Sequence, residues 1–599
     1  MRIGSVGRPE EPPGFDAEAL QGRYDAERAK RLRRDGTDQY RHVQGAFARY
    51  DEDPYVPPGF ARDPVVSNPD VLIVGGGFGG LLQAARLREA GITDILIVEK
   101  AGDFGGTWYW NRYPGAACDI ESYVYIPLLE ELNYIPVEKY AKGPEILAHA
   151  QAIGRKYDLY EKTLFQTEIR ELRWNDRRQR WIADTDRNDT IAARYVCMST
   201  GPLNKPKLPG IAGIETFSGH AFHTSRWDYD YTGGGPEGGL SNLADKRVAI
   251  IGTGATAIQC IPHLAKGARH LYVFQRTPSV VDARNNRPTD PQWAGALQPG
   301  WQQRRMDNFN TLVSGGTADE DLVSDGWTEI LRGIGVELAS LPDDAERRQL
   351  ADFRKMEQIR DRIDRAVNDK ATAAALKPYY NIMCKRPCFH DSYLETFNRQ
   401  NVTLVDTDGR GVDRVTPSGI VANGREFPVD CLIYATGFEF QTDFSIRNGY
   451  QIYGRGGLTL SEKWKDGVST LHGYFIRYFP NCFVLGNAQT ANTPNFTHML
   501  NESSRHLAWI IKTCLERQIS AVEPSQDAER AWVDHILTFR NERKKFDQAC
   551  TPGYYNNEGQ PSDKSVLGSF YPAGPLVFVP LLEAWRDKGD LEGLEQLGA

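Results

Sequence analysis

The sequence predicts an α/β chain in which two Rossmann-type dinucleotide-binding domains share one polypeptide. The second is inserted into the first, and a helical subdomain is inserted in turn. Three observations predict it. A buried-strand run enters a glycine turn at residues 71–80. The same pattern recurs at residues 247–257. Two further strand-like runs, each ending in Thr-Gly, lie on either side of the second pattern. At 599 residues the chain has room for two to four domains.

Residues 1–65 are polar, charged and rich in Pro and Gly, with a helix expected near Ala17–Arg34. They read as an extension packed on a core. Val71-Leu72-Ile73-Val74 is a continuous apolar run, as in a parallel strand covered on both faces. It leads straight into GGGFGG, Gly75 to Gly80, and then into LLQAARLREAG, which has helical apolar spacing and a stop at Gly91. The next run, DILIVEK, ends at Glu99. Gly75, Gly77 and Gly80 match G-x-G-x-x-G, with Phe78 inside the turn, and Glu99 follows Gly75 by 24 residues, near the roughly 20 expected. Glycines let the backbone approach a pyrophosphate at a helix N-terminus, and the acid accepts hydrogen bonds from a ribose. NAD and FAD both fit this unit. The following segment, AGDFGGTWYWNRYPGAACDIES, places a second Gly-Gly turn (Gly105, Gly106) before Thr107, Trp108, Tyr109 and Trp110. Flat aromatics beside a dinucleotide site suit an isoalloxazine ring, although each alone also fits ordinary core packing.

The unit then repeats. Arg247–Ile251 reads as a strand, and Gly252, Thr253, Gly254, Ala255, Thr256 and Ala257 form G-x-G-x-x-A. Ile258 continues the helix, and HLYVFQRTP is the next strand. Arg276, between Gln275 and Thr277, again lies 24 residues after the first glycine. Where the first unit has an acid, the second has a guanidinium. A guanidinium holds a 2′-phosphate with two charge-assisted bonds, so the second dinucleotide is expected to be NADP(H). Arg276 alone would be an ordinary charge at a strand end; the matched register and the Thr277 hydroxyl decide for the site.

YVCMSTG (Tyr195–Gly201) and DCLIYATGF (Asp430–Phe438) are expected to be strands of the first sheet, which the insert interrupts. The expected boundaries are therefore 1–65 for the extension and 66–205 for the first domain. The inserted domain is expected at 206–394, with its helical part at about 290–378. The first domain would return at 395–540, followed by a C-terminal loop and tail at 541–599. Within the insert, residues 301–376 are charged and helical in pattern, most simply a solvated helix face.

The net charge of −8 gives no reason to expect a nucleic-acid partner. No run of about 18 apolar residues suggests a membrane span, and the first residues lack the apolar core of a secretion signal. The nine cysteines include no CxxC pair. They are expected to be reduced thiols in a cytoplasmic protein, with no metal site.

One stretch ties these parts together. FSGHAFHTSRWD, Phe217–Asp228, fits F-x-G-x-x-x-H-x-x-x-W-[PD] with Phe217, Gly219, His223, Trp227 and Asp228 in register. Together with GGTWYWNRYPG, CDIES, GTGATAIQ, FQRTP, KRP and ATGF, it makes the chain from about Asp70 to Leu500 resemble the type I Baeyer–Villiger monooxygenases. The resemblance implies FAD in the first unit, NADPH in the second, and O₂ and a ketone as substrates. An oxygen would be inserted beside the carbonyl, giving an ester or lactone, through a C4a-peroxyflavin anion. The family's catalytic arginine maps onto Arg386, its carboxylate partner onto Asp119, and a second 2′-phosphate contact onto Lys385. Arg suits the first role because its charge cannot be lost by a pKa shift. Flavin contacts map onto Glu99, Thr107 to Trp110, Asp119, Tyr125, Ile169 and Met499, and further cofactor contacts onto Ala117 and Cys118. His223 and Trp227 map onto a hinge between the two domains. The extension and TPGYYNNEG (Thr551–Gly559) resemble the members acting on large or multi-ring ketones.

Two positions depart from the pattern. Many relatives carry a larger residue where Ala117 stands, and KSVLGSFYPAGP offers no match for their C-terminal Trp. Two other readings share both glycine turns: a flavin monooxygenase acting on nitrogen or sulfur, and a non-catalytic NADP(H)-binding flavoprotein. Neither needs the Arg386–Asp119 pair. A disulfide reductase would need a cysteine pair after the first unit, and none is there.

Overall fold

The computed structural model describes residues 14–334, 345–440, 442–486 and 488–597. Two five-stranded parallel sheets organise it. The first runs Cys482–Val484, Tyr195–Met198, Val71–Val74, Ile95–Val98, Thr163–Leu164. The second runs His220–His223, Cys431–Tyr434, Arg247–Ile251, His270–Gln275, Val402–Asp406. The expected strands that enter the glycine turns, Val71–Val74 and Val248–Ile251, are buried along their length, because each sheet is covered on both faces, by helices on one and by strands of a smaller sheet on the other. Helices Phe78–Glu89 and Ala255–Gly267 follow the two turns. A third, mixed sheet orders Val66–Ser67, Thr190–Ala193, Arg180–Thr185, Ile169–Asn175 and Gln451–Tyr453.

Two expectations are corrected here. Cys431–Tyr434 lies in the second sheet, between His220–His223 and Arg247–Ile251. Val402–Asp406 is the edge strand of the same sheet. Residues 395–434 therefore belong with the inserted unit, and the chain returns to the first sheet only at Cys482–Val484. A short apolar run ending in Thr-Gly fits either parallel sheet equally well, so the pattern could not choose between them. The second correction concerns the thiols. Cys384 and Cys550 form a disulfide across 166 residues; the other seven cysteines are free and buried. Spacing in sequence said nothing of this pair, because its partners meet only through the fold.

The helical insert comprises Pro291–Gly295, Trp301–Val313, Gly326–Ile334, Ala345–Ala366 and Lys370–Leu376. Ala345–Ala366 buries Phe353, Met356, Ile359 and Ile363, one stripe at helical spacing, together with Asp352 and Arg360, which are bonded to Ile382 N–H and Pro378 O. The extension's helix, Ala17–Arg31, is capped by Asp16, whose side chain accepts from Ala19 N–H at 3.0 Å. Its Tyr24 meets Phe353 edge-on at 5.2 Å, which fixes the extension to the insert. Among the described residues no helix is long and apolar enough to cross a membrane.

Candidate active site

The first glycine turn is a tight cradle. Gly75 has φ +109°, and a Cβ there would meet Ser199 O at 2.5 Å; one on Gly80 would meet Gly75 O at 1.9 Å. Glycine is the residue that fits both places. Glu99 is buried at the end of its strand. One carboxylate oxygen accepts from Ala101 N–H at 2.7 Å and the other from Gly76 N–H. Burial pushes its carboxyl above the usual carboxylate range, against the pull of these two donors. Beside Gly75, Ser199 Oγ and Thr200 Oγ1 are buried without a hydrogen-bond partner. Close backbone, a fixed acid and unpaired hydroxyls fit a dinucleotide such as FAD.

The aromatic segment is divided. Thr107–Trp110 makes one helical turn. Trp108 Nε1 donates to Tyr125 Oη at 3.0 Å, and Tyr125 meets Phe78 edge-on. Tyr109 and Trp110 face the extension instead: Tyr109 Oη donates to Asp53 at 2.7 Å, and the Arg226 guanidinium sits 3.8 Å from the Trp110 ring. Ile169 starts a strand of the third sheet, and Met499 lies in helix Phe496–Glu516; both are buried in the core.

The second cradle is built the same way. Gly252 has φ +111°, and a Cβ there would meet Ala435 O at 2.4 Å. Gly254 caps the helix that Ala255 and Thr256 open, with Ala257 and Ile258 buried behind them. Thr253 Oγ1 donates to Thr277 O at 3.0 Å. Gln275 is turned away, donating to Ala375 O at 2.8 Å. Arg276 stands a third exposed. Its Nη1 donates to Gln39 Oε1 at 2.5 Å, and its Nη2 lies 3.7 Å from Glu558 Oε2. Lys385 Nζ donates to Pro552 O at 3.1 Å. Burial, and then Arg276, brings the Lys385 ammonium down to about 8.

Between the cradles lies the tightest charge pair of the region. Arg386 Nη2 donates to Asp119 Oδ1 at 2.5 Å, and Nη1 donates to Oδ2, a two-pronged contact across 267 residues. Burial works against the Arg386 charge, but Asp119 outweighs it and raises its pKa well above the ordinary value. Lys385 has extended backbone angles, φ −132° and ψ 162°. Successive side chains of extended backbone point in opposite directions, so Lys385 reaches Pro552 O while Arg386 turns to Asp119.

Trp327 has no signal in the sequence, and Gln259 has none beyond its place in GTGATAIQ. Trp327 of the insert lies 5.5 Å from the Arg386 guanidinium and donates to Asp119 O at 3.1 Å. Gln259 donates to Ala117 O at 2.9 Å and accepts from Tyr113 Oη at 2.8 Å, linking the second unit's helix to the CDIES segment. Cys118 is buried, which raises its thiol pKa. His223 is fully buried, with Nδ1 bonded to Ser225 Oγ at 2.8 Å, and burial followed by Arg226 pushes it down to about 3. It ends a strand of the second sheet as a neutral residue. Trp227 is equally buried.

Comparison with known proteins decides the class. The family model for pyridine nucleotide-disulphide oxidoreductases matches residues 69–304. A Baeyer–Villiger monooxygenase of Streptomyces coelicolor is 47% identical over 95% of this chain and 96% of its own. The chain belongs to the Baeyer–Villiger monooxygenases. Neopentalenolactone D synthase of Streptomyces avermitilis is 55% identical, covering 97% of this chain and 99% of its own. The solved polycyclic ketone monooxygenase of Thermothelomyces thermophila superimposes with a TM-score of 0.89 at 40% identity, covering 96% and 98% of the two chains. The solved structure of OTEMO, 27% identical over 90% of this chain with a TM-score of 0.74, is a complex with FAD and NADP. This monooxygenase is accordingly an FAD- and NADPH-dependent enzyme that converts ketones to esters or lactones.

Proposed function

We propose that Arg386 is the fixed cation of the reaction, that Asp119 orients it, and that the substrates are large or multi-ring ketones. The observation that carries this reading is the two-pronged Arg386–Asp119 pair. Bound in the first cradle, FAD would activate O₂ with electrons from NADPH. The chain's own contribution is then positioning and charge. Negative charge that develops on the reacting oxygen needs a cation that burial cannot neutralise, and an arginine clamped at both prongs supplies it without reorganising. Trp327 covers one side of the guanidinium and ties the insert to the Asp119 backbone. Glu99, Gly75, Gly77, Gly80 and Trp108 with Tyr125 would hold FAD. Arg276, Thr277 and Lys385 would hold the 2′-phosphate of NADPH.

The substrate class follows from similarity to a polycyclic ketone monooxygenase and to neopentalenolactone D synthase. It is consistent with the small side chain of Ala117 before the Asp119 segment. The need for NADPH suits the cytoplasm. Aerobic turnover with NADPH and a panel of ketones, from cyclohexanone to macrocyclic and steroid ketones, tests the reading. The expected result is a lactone or ester carrying one added oxygen from the larger ketones, absent with Arg386→Ala. Oxidation of sulfides or amines alone, with every ketone untouched, would overturn it.

A further inference from the structure

Glu558 has no part in the roles assigned so far, yet it stands against the cation proposed for the 2′-phosphate. We infer that Glu558 is a tethered stand-in for that phosphate, which NADP(H) must displace and NADH cannot. The inference rests on Arg276 being the 2′-phosphate cation.

Three observations carry it. First, Glu558 is only 3% exposed, and its Oε2 has no hydrogen-bond partner; the nearest cation is Arg276 Nη2 at 3.7 Å. A buried carboxylate oxygen left at that distance is held near a charge without being paired to it. The other oxygen is fixed, accepting from Tyr40 Oη at 2.9 Å. Second, the surroundings suit an anion stronger than a single carboxylate. Lys385 is half-buried and Lys207 buried here, and the Lys207 ammonium lies 4.0 Å from the Tyr40 ring. Arg31 adds its Nε bond to Arg276 O, although its own charge is taken by Glu27. A phosphate with three acceptor oxygens and nearly two charges would satisfy several of these groups together.

Third, the backbone is set to present this side chain. Asn557 and Glu558 have φ +51° and +53°, left-handed values that favour glycine. The loop is held there by Asn556, whose amide donates to Asp547 O, Cys550 O and Thr551 O and accepts from Gly553 and Gly559 N–H. Strain of this kind persists where the surroundings over-determine it. The same loop carries Tyr554 and Tyr555, packed on Phe440 and close enough to Arg386 to feel its charge. Displacing Glu558 would therefore be felt next to the reaction centre.

The test uses the FAD-loaded enzyme and the probe adenosine 2′,5′-bisphosphate, titrated by calorimetry, with 5′-AMP as control. Removing the competing charge with Glu558→Gln should tighten binding of the bisphosphate about five- to tenfold, because the site no longer spends most of its time filled; 5′-AMP should not change. Tyr40→Phe, which frees the carboxylate without removing it, should tighten it by a smaller factor. Hydrogen exchange in residues 550–559 should rise when the bisphosphate binds to the unmodified enzyme. Unchanged or weaker bisphosphate binding in both variants would overturn the inference and make Glu558 a support for Arg276. Unchanged binding in Arg276→Ala would instead overturn the assignment of the site itself.

Discussion

Two of the molecule's arginine–carboxylate pairs, Arg386–Asp119 and Arg276–Glu558, are built from the same chemical groups and differ in geometry. Arg386 and Asp119 meet prong to prong at 2.5 Å. Arg276 and Glu558 stop at 3.7 Å, with one oxygen unpaired. A closed pair fixes a charge in place, while an open pair keeps one available for exchange. On the inference drawn above, geometry and not composition would separate a permanent counter-ion from a displaceable one. The sharpest way to break this comparison is at the closed pair. Arg386→Ala should lower kcat for ketone oxidation by about a thousandfold or more, judged from what one stabilising donor supplies. The flavin absorbance should stay normal, because the first cradle is untouched. Asp119→Asn should cost less, about a hundredfold, since the cation remains but loses its clamp. Product formation by mass spectrometry measures both, and equal losses in the two variants would deny Asp119 an orienting role.

The open pair should respond in KM rather than kcat. Arg276→Ala removes a charge-assisted fork, and such bonds contribute about 1.5–3 kcal/mol each. KM for NADPH should rise about ten- to a hundredfold while KM for NADH stays level. Steady-state kinetics with both cofactors checks this, and a parallel rise for NADH would mean that Arg276 holds something other than the 2′-phosphate.

The two pairs also differ in how far the sequence disclosed them. Each cradle was readable because its parts lie within about 25 residues, where glycine turn, helix and strand end leave a fixed spacing. Arg386 and Asp119 were readable only through the family resemblance, since 267 residues separate them and a basic pair before proline has many ordinary uses. Glu558, Gln39 and Trp327 were not readable at all. Each reaches its site from a loop or insert whose path the local pattern does not determine. The strand Cys431–Tyr434 shows the same limit at the level of the fold: its burial pattern is that of a parallel strand, but which sheet receives it depends on contacts made far along the chain. The cysteine pattern likewise did not disclose the disulfide Cys384–Cys550, which joins the arginine segment to the loop of Glu558.

A finer prediction separates the pairs by pH. Lys385, beside the open pair, is brought down to about 8 by burial and by Arg276. It is charged below that value and neutral above it. A phosphate needs the charged form, so KM for NADPH should rise as pH passes upward through about 8, by up to about tenfold per unit. Lys385→Arg should flatten the profile, because arginine stays charged. The closed pair has no such dependence in this range, since Asp119 raises the Arg386 pKa. A pH profile of KM that is equally steep in both enzymes would remove Lys385 from the cofactor site.

The smallest expected effect belongs to the disulfide. It ties Cys384, next to Lys385 and Arg386, to Cys550 at the base of the loop that presents Glu558. The Arg386–Asp119 contact does not run through this bridge, because Asp119 is held by Trp327 and by its own segment. Opening the bridge should therefore loosen the open pair and leave the closed one. In the denatured, unreduced protein seven thiols should react, and nine after reduction. In the folded enzyme, Cys550→Ser should change KM for NADPH by no more than about threefold, in the direction of tighter binding if the loop frees Arg276, with kcat for ketone oxidation unchanged. A large fall in kcat would show that the bridge also positions Arg386, and the two pairs would then have to be treated as one mechanical unit.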